Sequence, residues 1–161
     1  MFEITVTLAH GEKVKEYTLP LDINEVSNDL GIDFDLVDPE PISLLVDYEN
    51  IPRCLIARPF FGWDDLNHIA EVVDNLPDWI TPDIFEELLE HTTLSDIEQN
   101  AEYWEFYEGL ESMGDFAREV VFDSIDIDTL LEPYIDWESM GEDVALEGNF
   151  IVLNEGIVLA I

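Results

Sequence analysis

The sequence predicts an α+β fold: an elongated chain of small modules, with a β-rich N-terminal module, acidic helices in the centre and a mixed C-terminal module that ends in a β-hairpin. Three observations predict it. Apolar residues alternate with a period of two near both ends of the chain, the mark of half-buried strands. Between residues 63 and 110 the apolar period becomes helical. The composition, 47% hydrophobic and 11% aromatic, supplies a core even though 39 acids face 5 bases. A length of 161 residues suits one ordinary domain or two or three very small ones. We divide it as 1–60, an N-terminal α/β module; 61–112, a central helical module; and 113–161, a C-terminal α/β module.

Residues 2–8 alternate and are rich in β-branched types, so they predict a strand. His10-Gly11-Glu12 is a turn, and residues 13–19 return as a second strand ended by Pro20. Asp22 caps a short helix over Ile23–Leu30, and Gly31 ends it. The acidic, proline-bounded stretch Asp33 to Pro41 is a loop. Residues 42–48 predict a strand, and 54–58 another, closed by Pro59. From Trp63 the apolar residues Leu66, Ile69, Val72, Val73 and Leu76 form one helix face, with Asp64 or Asp65 at its start, where the macrodipole favours acids, and Pro77 as its stop. Thr81-Pro82 begins a second helix carrying Ile84, Phe85, Leu88 and Leu89. Ser95 caps a third, with Ile97, Ala101, Trp104, Tyr107 and Leu110 on its apolar face. Gly114 interrupts; Asp115–Phe122 is a fourth, short helix, and Asp128 or Thr129 opens another that runs to Trp137 with a break at Pro133. Asn149–Leu153, a turn at Asn154-Glu155-Gly156 and Ile157–Ile161 close the chain as a hairpin.

The formal net charge is −34. Nucleic acid and anionic membrane are thereby excluded as direct ligands, because both would be repelled. The charge is uneven: residues 1–58 hold 12 acids and 4 bases (−8), whereas residues 59–161 hold 27 acids and one base, Arg118 (−26). No apolar run approaches the roughly 20 residues of a membrane span. The start Met1-Phe2-Glu3-Ile4 lacks the basic and apolar regions of a signal peptide. A single cysteine, Cys54, excludes an intrachain disulfide and a Cys-based zinc site. These features predict a soluble protein of a reducing compartment.

The acids are patterned. In the second predicted helix Asp83, Glu86, Glu87 and Glu90 share a face opposite the apolar one. In the third, Glu98, Glu102, Glu105, Glu108 and Glu111 form a stripe roughly 20 Å long. Like charges at such spacing destabilise a helix by a few tenths of a kcal/mol per pair, and no lysine after Lys15 dilutes them. Helix stability alone therefore does not account for the pattern. The object with dense, regular negative charge is a nucleic-acid backbone; at one charge per about 1.7 Å of duplex, 34 charges correspond to roughly 58 Å, or about 17 base pairs. A chain built this way would enter the basic DNA channel of an enzyme and gain from the same counterion release. Two blander readings stand beside this one: an acidic face that serves only solubility, and adaptation to high salt, against which the 9 Phe and 4 Trp count.

Catalytic patterns are weak. Carboxylate pairs are too common here to mark acid–base catalysis. His10, His68 and His91 are scattered, without the i, i+4 partner of a zinc helix, and no phosphate-binding glycine loop or Gly-x-Ser-x-Gly occurs. Asp123-Ser124-Ile125-Asp126-Ile127-Asp128 lacks the mid-loop glycine of a calcium loop and places apolar residues at ligand positions. We expect no catalytic residues, no metal and no cofactor.

The run Tyr134-Ile135-Asp136-Trp137-Glu138-Ser139-Met140-Gly141-Glu142-Asp143, then Gly148-Asn149-Phe150-Ile151 and Asn154-Glu155-Gly156-Ile157, resembles the C-terminal module of the ArdA antirestriction proteins. The Leu66–Leu76 helix with its Leu76-Pro77 break, the Leu88–Ile97 region and Met113-Gly114-Asp115-Phe116-Ala117-Arg118 are similar as well. The resemblance covers roughly residues 43–161; the first 40 residues do not match the family's N-terminal module, and Glu142 stands where many members carry a base. It implies an elongated, curved, three-module DNA mimic, usually dimeric. Phages and mobile genetic elements use such proteins in the bacterial host cytoplasm to block type I restriction–modification enzymes, and they catalyse nothing.

Together these readings predict an inhibitor that occupies the DNA site on the specificity and methyltransferase subunits. Its phosphate substitutes would be Asp83, Glu86, Glu87, Glu90, Glu98, Glu102, Glu105, Glu108 and Glu111, with Asp136, Glu138, Glu142 and Asp143 extending the track. A homodimer seam is expected at Phe116, Val120, Val121 and Phe122, with Arg118 paired across it; an intrachain ion pair near the core is the other use of that arginine. The rival targets are a CRISPR effector or another nucleic-acid enzyme with a basic channel. An enzyme of an acidic niche, a calcium-dependent module and a plain acidic scaffold remain as further alternatives.

Overall fold

The computed structural model of the chain describes residues 2–37, 39–58, 61–125, 128 and 130–161. It forms two compact units, Met1–Leu89 and Glu90–Ile161.

The first unit opens with β1 (Thr5–His10) and β2 (Lys13–Thr18), paired antiparallel with His10 opposite Lys13. The two-residue turn places Gly11 at φ +63°, a handedness that glycine adopts without a Cβ clash. Asp22 accepts a hydrogen bond from the Asn24 N–H at 2.8 Å and starts α1 (Ile23–Leu30); Gly31, at φ +70°, ends it as expected. A helical turn, α2 (Pro41–Leu44), precedes β3 (Leu45–Glu49), which joins the sheet in the order β2-β1-β3. Then follow α3 (Arg53–Ile56), α4 (Trp63–Asp74) and α5 (Pro82–His91).

The core draws on the apolar faces expected for α4 and α5 and on residues of β1 and α1. Val6 and Leu8 of β1, Val26 and Leu30 of α1, Leu66, Ile69 and Val73 of α4, and Ile84, Phe85 and Leu88 of α5 are all buried. The Gly62 N–H donates to Asp65 at 2.7 Å, so Asp65 is the acid that caps α4. The loop before α4 is pinned by the Trp63 indole, which donates to the Pro39 carbonyl at 3.1 Å, and by Phe34, edge-on to Trp63 at 5.6 Å.

In the second unit α6 (Leu94–Asn100) is followed by a 3₁₀ turn, Ala101–Tyr103, and β4 (Glu105–Glu108). A continuous helical run comprises α7 (Met113–Phe116), a π-turn at Ala117–Val121 and α8 (Phe122–Ser124). A 3₁₀ turn at Glu132–Tyr134 leads to α9 (Trp137–Glu147), and β5 (Phe150–Val152) and β6 (Gly156–Leu159) form the expected closing hairpin. The sheet order is β4-β6-β5, all antiparallel, so the C-terminal strand lies in the middle. Ile157 is fully buried with Leu110 and Phe116, and Val144 of α9 packs on that cluster. Gly141 lets α9 approach the backbone of α7: a Cβ there would collide with Met113 and Gly114 main-chain atoms.

Several predicted elements are corrected. Residues 54–58 are not a strand; Pro52 leads into the helical turn α3, and Leu55 and Ile56 are buried from it. A short apolar run has no period by which to tell strand from helix. Pro41 nucleates a helical turn, so the 42–48 strand begins only at Leu45. The cap of α6 is Thr93, not Ser95: its hydroxyl accepts from the Asp96 N–H at 3.2 Å and donates to the Asp96 carboxylate at 2.6 Å. The third helix does not reach Leu110. It stops at Asn100, because Trp104-Glu105-Phe106-Tyr107 favours a strand that pairs with β6. Gly114 lies inside α7, which Ser112 caps. Trp137 begins a helix instead of ending one, since Asp136 accepts from the Ser139 N–H at 3.1 Å. Thr129, and Asp126 and Ile127 of the calcium-like stretch, lie outside the described residues.

Candidate functional site: an exposed carboxylate surface

Of the predicted phosphate substitutes, all are exposed except Glu87, which is half-buried. Their placement differs by region. In α5 the helix retains Asp83, Glu86, Glu87 and Glu90 at i, i+3, i+4 and i+7. At about 100° per residue these four fall within an arc of about 100° and span about 10 Å along the axis. Thr81 starts the helix, its hydroxyl accepting from the Ile84 N–H at 3.3 Å, and Asp83 in the first turn suits the positive end of the dipole.

The second predicted row is broken up. Glu98 is on α6, Glu102 in the 3₁₀ turn, Glu105 and Glu108 on β4, and Glu111 in the segment before α7. On a strand, residues three apart point to opposite faces. Glu105 shares a face with Tyr107, whose hydroxyl donates to its carboxylate at 2.6 Å. That hydrogen bond, then burial, pushes the Tyr107 phenol up to about 12.

The predicted C-terminal acids Glu138, Glu142 and Asp143 sit on a helix that the sequence pattern did not predict. Glu138 and Glu142 are i, i+4 neighbours on α9, as are Asp143 and Glu147. Glu147 was not among the predicted residues. The signal was present in Asp136-x-x-Ser139, a cap followed by an apolar period at Trp137, Met140 and Val144. Asp136 itself is the cap. The Ser139 N–H and hydroxyl, both donating to it, hold its carboxyl below the usual range. Asp96 is lowered likewise, chiefly by the Thr93 hydroxyl.

Few cations offset this surface. Lys15 lies between Asp29 and Glu25, 3.1 Å from the latter, and over the Tyr17 ring; the two carboxylates push its ammonium up to about 12, and the ammonium in turn holds the Asp29 carboxyl below its ordinary value. Arg118 pairs with Glu132 of the same chain at 3.5 Å, with the arginine side chain mostly in solvent. Exposed pairs of this kind contribute little. By unit, Met1–Leu89 holds 20 acids and 4 bases (−16) and Glu90–Ile161 holds 19 acids and one base (−18).

The residues named for a dimer seam mostly face inward. Phe116 is buried, edge-on to Tyr107 at 4.9 Å and to Phe150 at 5.0 Å. Val120 and Val121 pack on the same cluster, and Phe122 stacks edge-on against Trp137 at 5.3 Å. The large apolar side chains that do face out nearby are Leu130, Leu131 and Tyr134, at 76%, 53% and 85% exposure. Among the described residues, no three of His, Cys, Asp and Glu converge as metal ligands, no polar side chain is buried, and no helix is long and apolar enough to cross a membrane.

The family described as Antirestriction protein (ArdA) matches the chain over residues 10–159. The match takes in residues 10–42 and so corrects the expectation that the first 40 residues fall outside the resemblance. No curated protein matches the chain.

Proposed function

The chain belongs to the ArdA antirestriction family, and from that premise we propose that it is a DNA mimic that inhibits type I restriction–modification enzymes by occupying the DNA site of their specificity and methyltransferase subunits. Antirestriction itself follows from family membership and makes a restriction–modification enzyme the partner. The observation that carries the finer reading is the exposed carboxylate surface. Thirty-nine acids against five bases leave a net −34 with almost every predicted phosphate substitute in solvent. Such a surface meets a basic channel as DNA does, releasing counterions from both partners. In this proposal the stretches 61–112 and 113–161 carry the track, the stretch 1–60 precedes it, and the protein acts in the cytoplasm of a bacterial host carrying a phage or mobile element.

The test is competition. Added protein should displace duplex DNA from a type I methyltransferase, and binding should fall steeply with salt; binding indifferent to ionic strength would end the charge-mimicry mechanism. A parallel assay with a CRISPR effector separates the first target from the second, since both present basic channels.

We further propose a homodimer. Because Phe116 is committed to the core, the seam would use the outward Leu130, Leu131 and Tyr134 beside Arg118. Light scattering at high micromolar concentration should give twice the chain mass; a monomer there refutes the dimer.

A further inference from the structure

The Met1–Leu89 unit contains a cavity of about 360 Å³ between the ends of β1 and β2 and the last turns of α4. Its apolar lining is Ile4, Leu19, Ala70 and Val73, all buried, and it is also lined by Glu3 and Asp74, both exposed residues. The Phe2 ring and Thr18 complete the described walls.

The walls are tied at fixed spacing. The Leu19 N–H donates to the Ile4 carbonyl at 2.9 Å. The Asn67 amide of α4 grips the backbone leaving β2, accepting from the Leu21 N–H at 2.7 Å and donating to the Leu21 carbonyl at 3.0 Å. The Asn50 amide donates to the Glu3 carbonyl at 2.7 Å, and Phe2 rests against Phe85, with ring centroids 6.1 Å apart. A cleft held this way keeps its shape without a ligand, which lowers the entropic cost of binding one.

The lining selects a chemistry. Its volume lies at the small end of organic ligand sites. An anion would be repelled by the rim and by the unit's net −16. A bare metal ion would leave the apolar floor unused, and a neutral apolar molecule would leave the carboxylates unused. We propose that this cavity is a binding site for an organic monocation with a compact apolar body. Two sources share that chemistry: a free amine, and a lysine or arginine side chain of the partner enzyme.

The test titrates the isotopically labelled full chain with 2-phenylethylammonium, following the Ala70 and Val73 amides. Saturable shifts are expected at millimolar concentration, about tenfold weaker with 2-phenylethanol, which keeps the ring and drops the charge. Tetramethylammonium, charge with little apolar body, should not saturate these amides. Thr18→Trp, at an exposed position of β2, should abolish the shifts by filling the cavity. Asp74→Asn should weaken them about threefold and keeps the test open if the tryptophan disturbs the strand. Shifts spread evenly over the acidic surface, or unchanged affinity in both variants, would overturn the proposal. Thr18→Trp in the DNA-displacement assay then separates the sources: lost displacement points to a partner side chain, retained displacement to a free amine. The titration uses the protein alone, so it stands or falls independently of the inhibitory function.

Discussion

α5 and β4 are both rich in acid and deploy it differently. On α5 the apolar face, Ile84, Phe85 and Leu88, is buried, and helical geometry then forces Asp83, Glu86 and Glu90 onto one exposed side. On β4 alternation sends Glu105 and Glu108 to opposite faces, and Glu105 is engaged by Tyr107. Acids at comparable density, four in ten residues on α5 and two in four on β4, thus give a row in one place and scattered points in the other. The local backbone period, more than the number of acids, decides whether carboxylates can imitate a phosphate row.

The largest expected effect breaks this contrast directly. Asp83→Asn, Glu86→Gln and Glu90→Gln combined should weaken displacement of DNA from a type I methyltransferase by more than about tenfold and flatten its salt dependence by about three units of slope. Glu105→Gln with Glu108→Gln should cost less than about threefold. Free-energy losses in the three-to-two proportion of the charges removed would mean that total charge, not its arrangement, sets binding. Next comes Gly141→Ala, which puts a methyl group into the backbone of α7 and should destabilise the Glu90–Ile161 unit by about 2 kcal/mol or more, read by denaturant unfolding.

A smaller effect concerns Tyr107. Its raised ionisation means that the hydrogen bond to Glu105 stabilises the fold below pH about 10, the ordinary phenol value, and is lost as pH rises toward about 12. Glu105→Gln should bring the phenol back toward its ordinary value in an ultraviolet titration. The smallest effect is at the α9 cap. Asp136→Ala should lower the melting temperature by a few degrees at neutral pH. Because the Asp136 carboxyl is lowered in the folded chain, its contribution is present above the ordinary carboxylate value and fades as pH falls through the folded one. The gap to the parent protein should therefore close in acid.

Legibility followed the strength of the local signal. α1 was readable with both its ends, because Asp22 and Gly31 bracket it and each has one physical job. α4 and α5 are readable because each carries four apolar residues at helical spacing; the predicted fifth residue of the α4 stripe, Leu76, lies just past the helix end at Asp74. The row Glu98 to Glu111 was misread because a 3-4 spacing of acids looks helical whatever the backbone does. The segment Glu105–Glu108, with Phe106 and Tyr107, becomes a strand only when β6, some fifty residues later, pairs with it. α9 was missed because proline at 133 and glycine at 141 speak against a helix; Gly141 is there for a close backbone approach that only the packed unit shows.

By itself the sequence determined the α+β class, the net −34 and its concentration after residue 58, the α5 acid row and the family to which the chain belongs. These rest on composition and short-range periodicity, which need no partner element. Tertiary structure alone decided the strand at Glu105–Glu108, the inward turn of Phe116, the helical pairing of the α9 acids and the cavity beside α4. Each of these depends on contacts between residues far apart in the chain, and local sequence carries no record of which distant strand or helix will come to meet it.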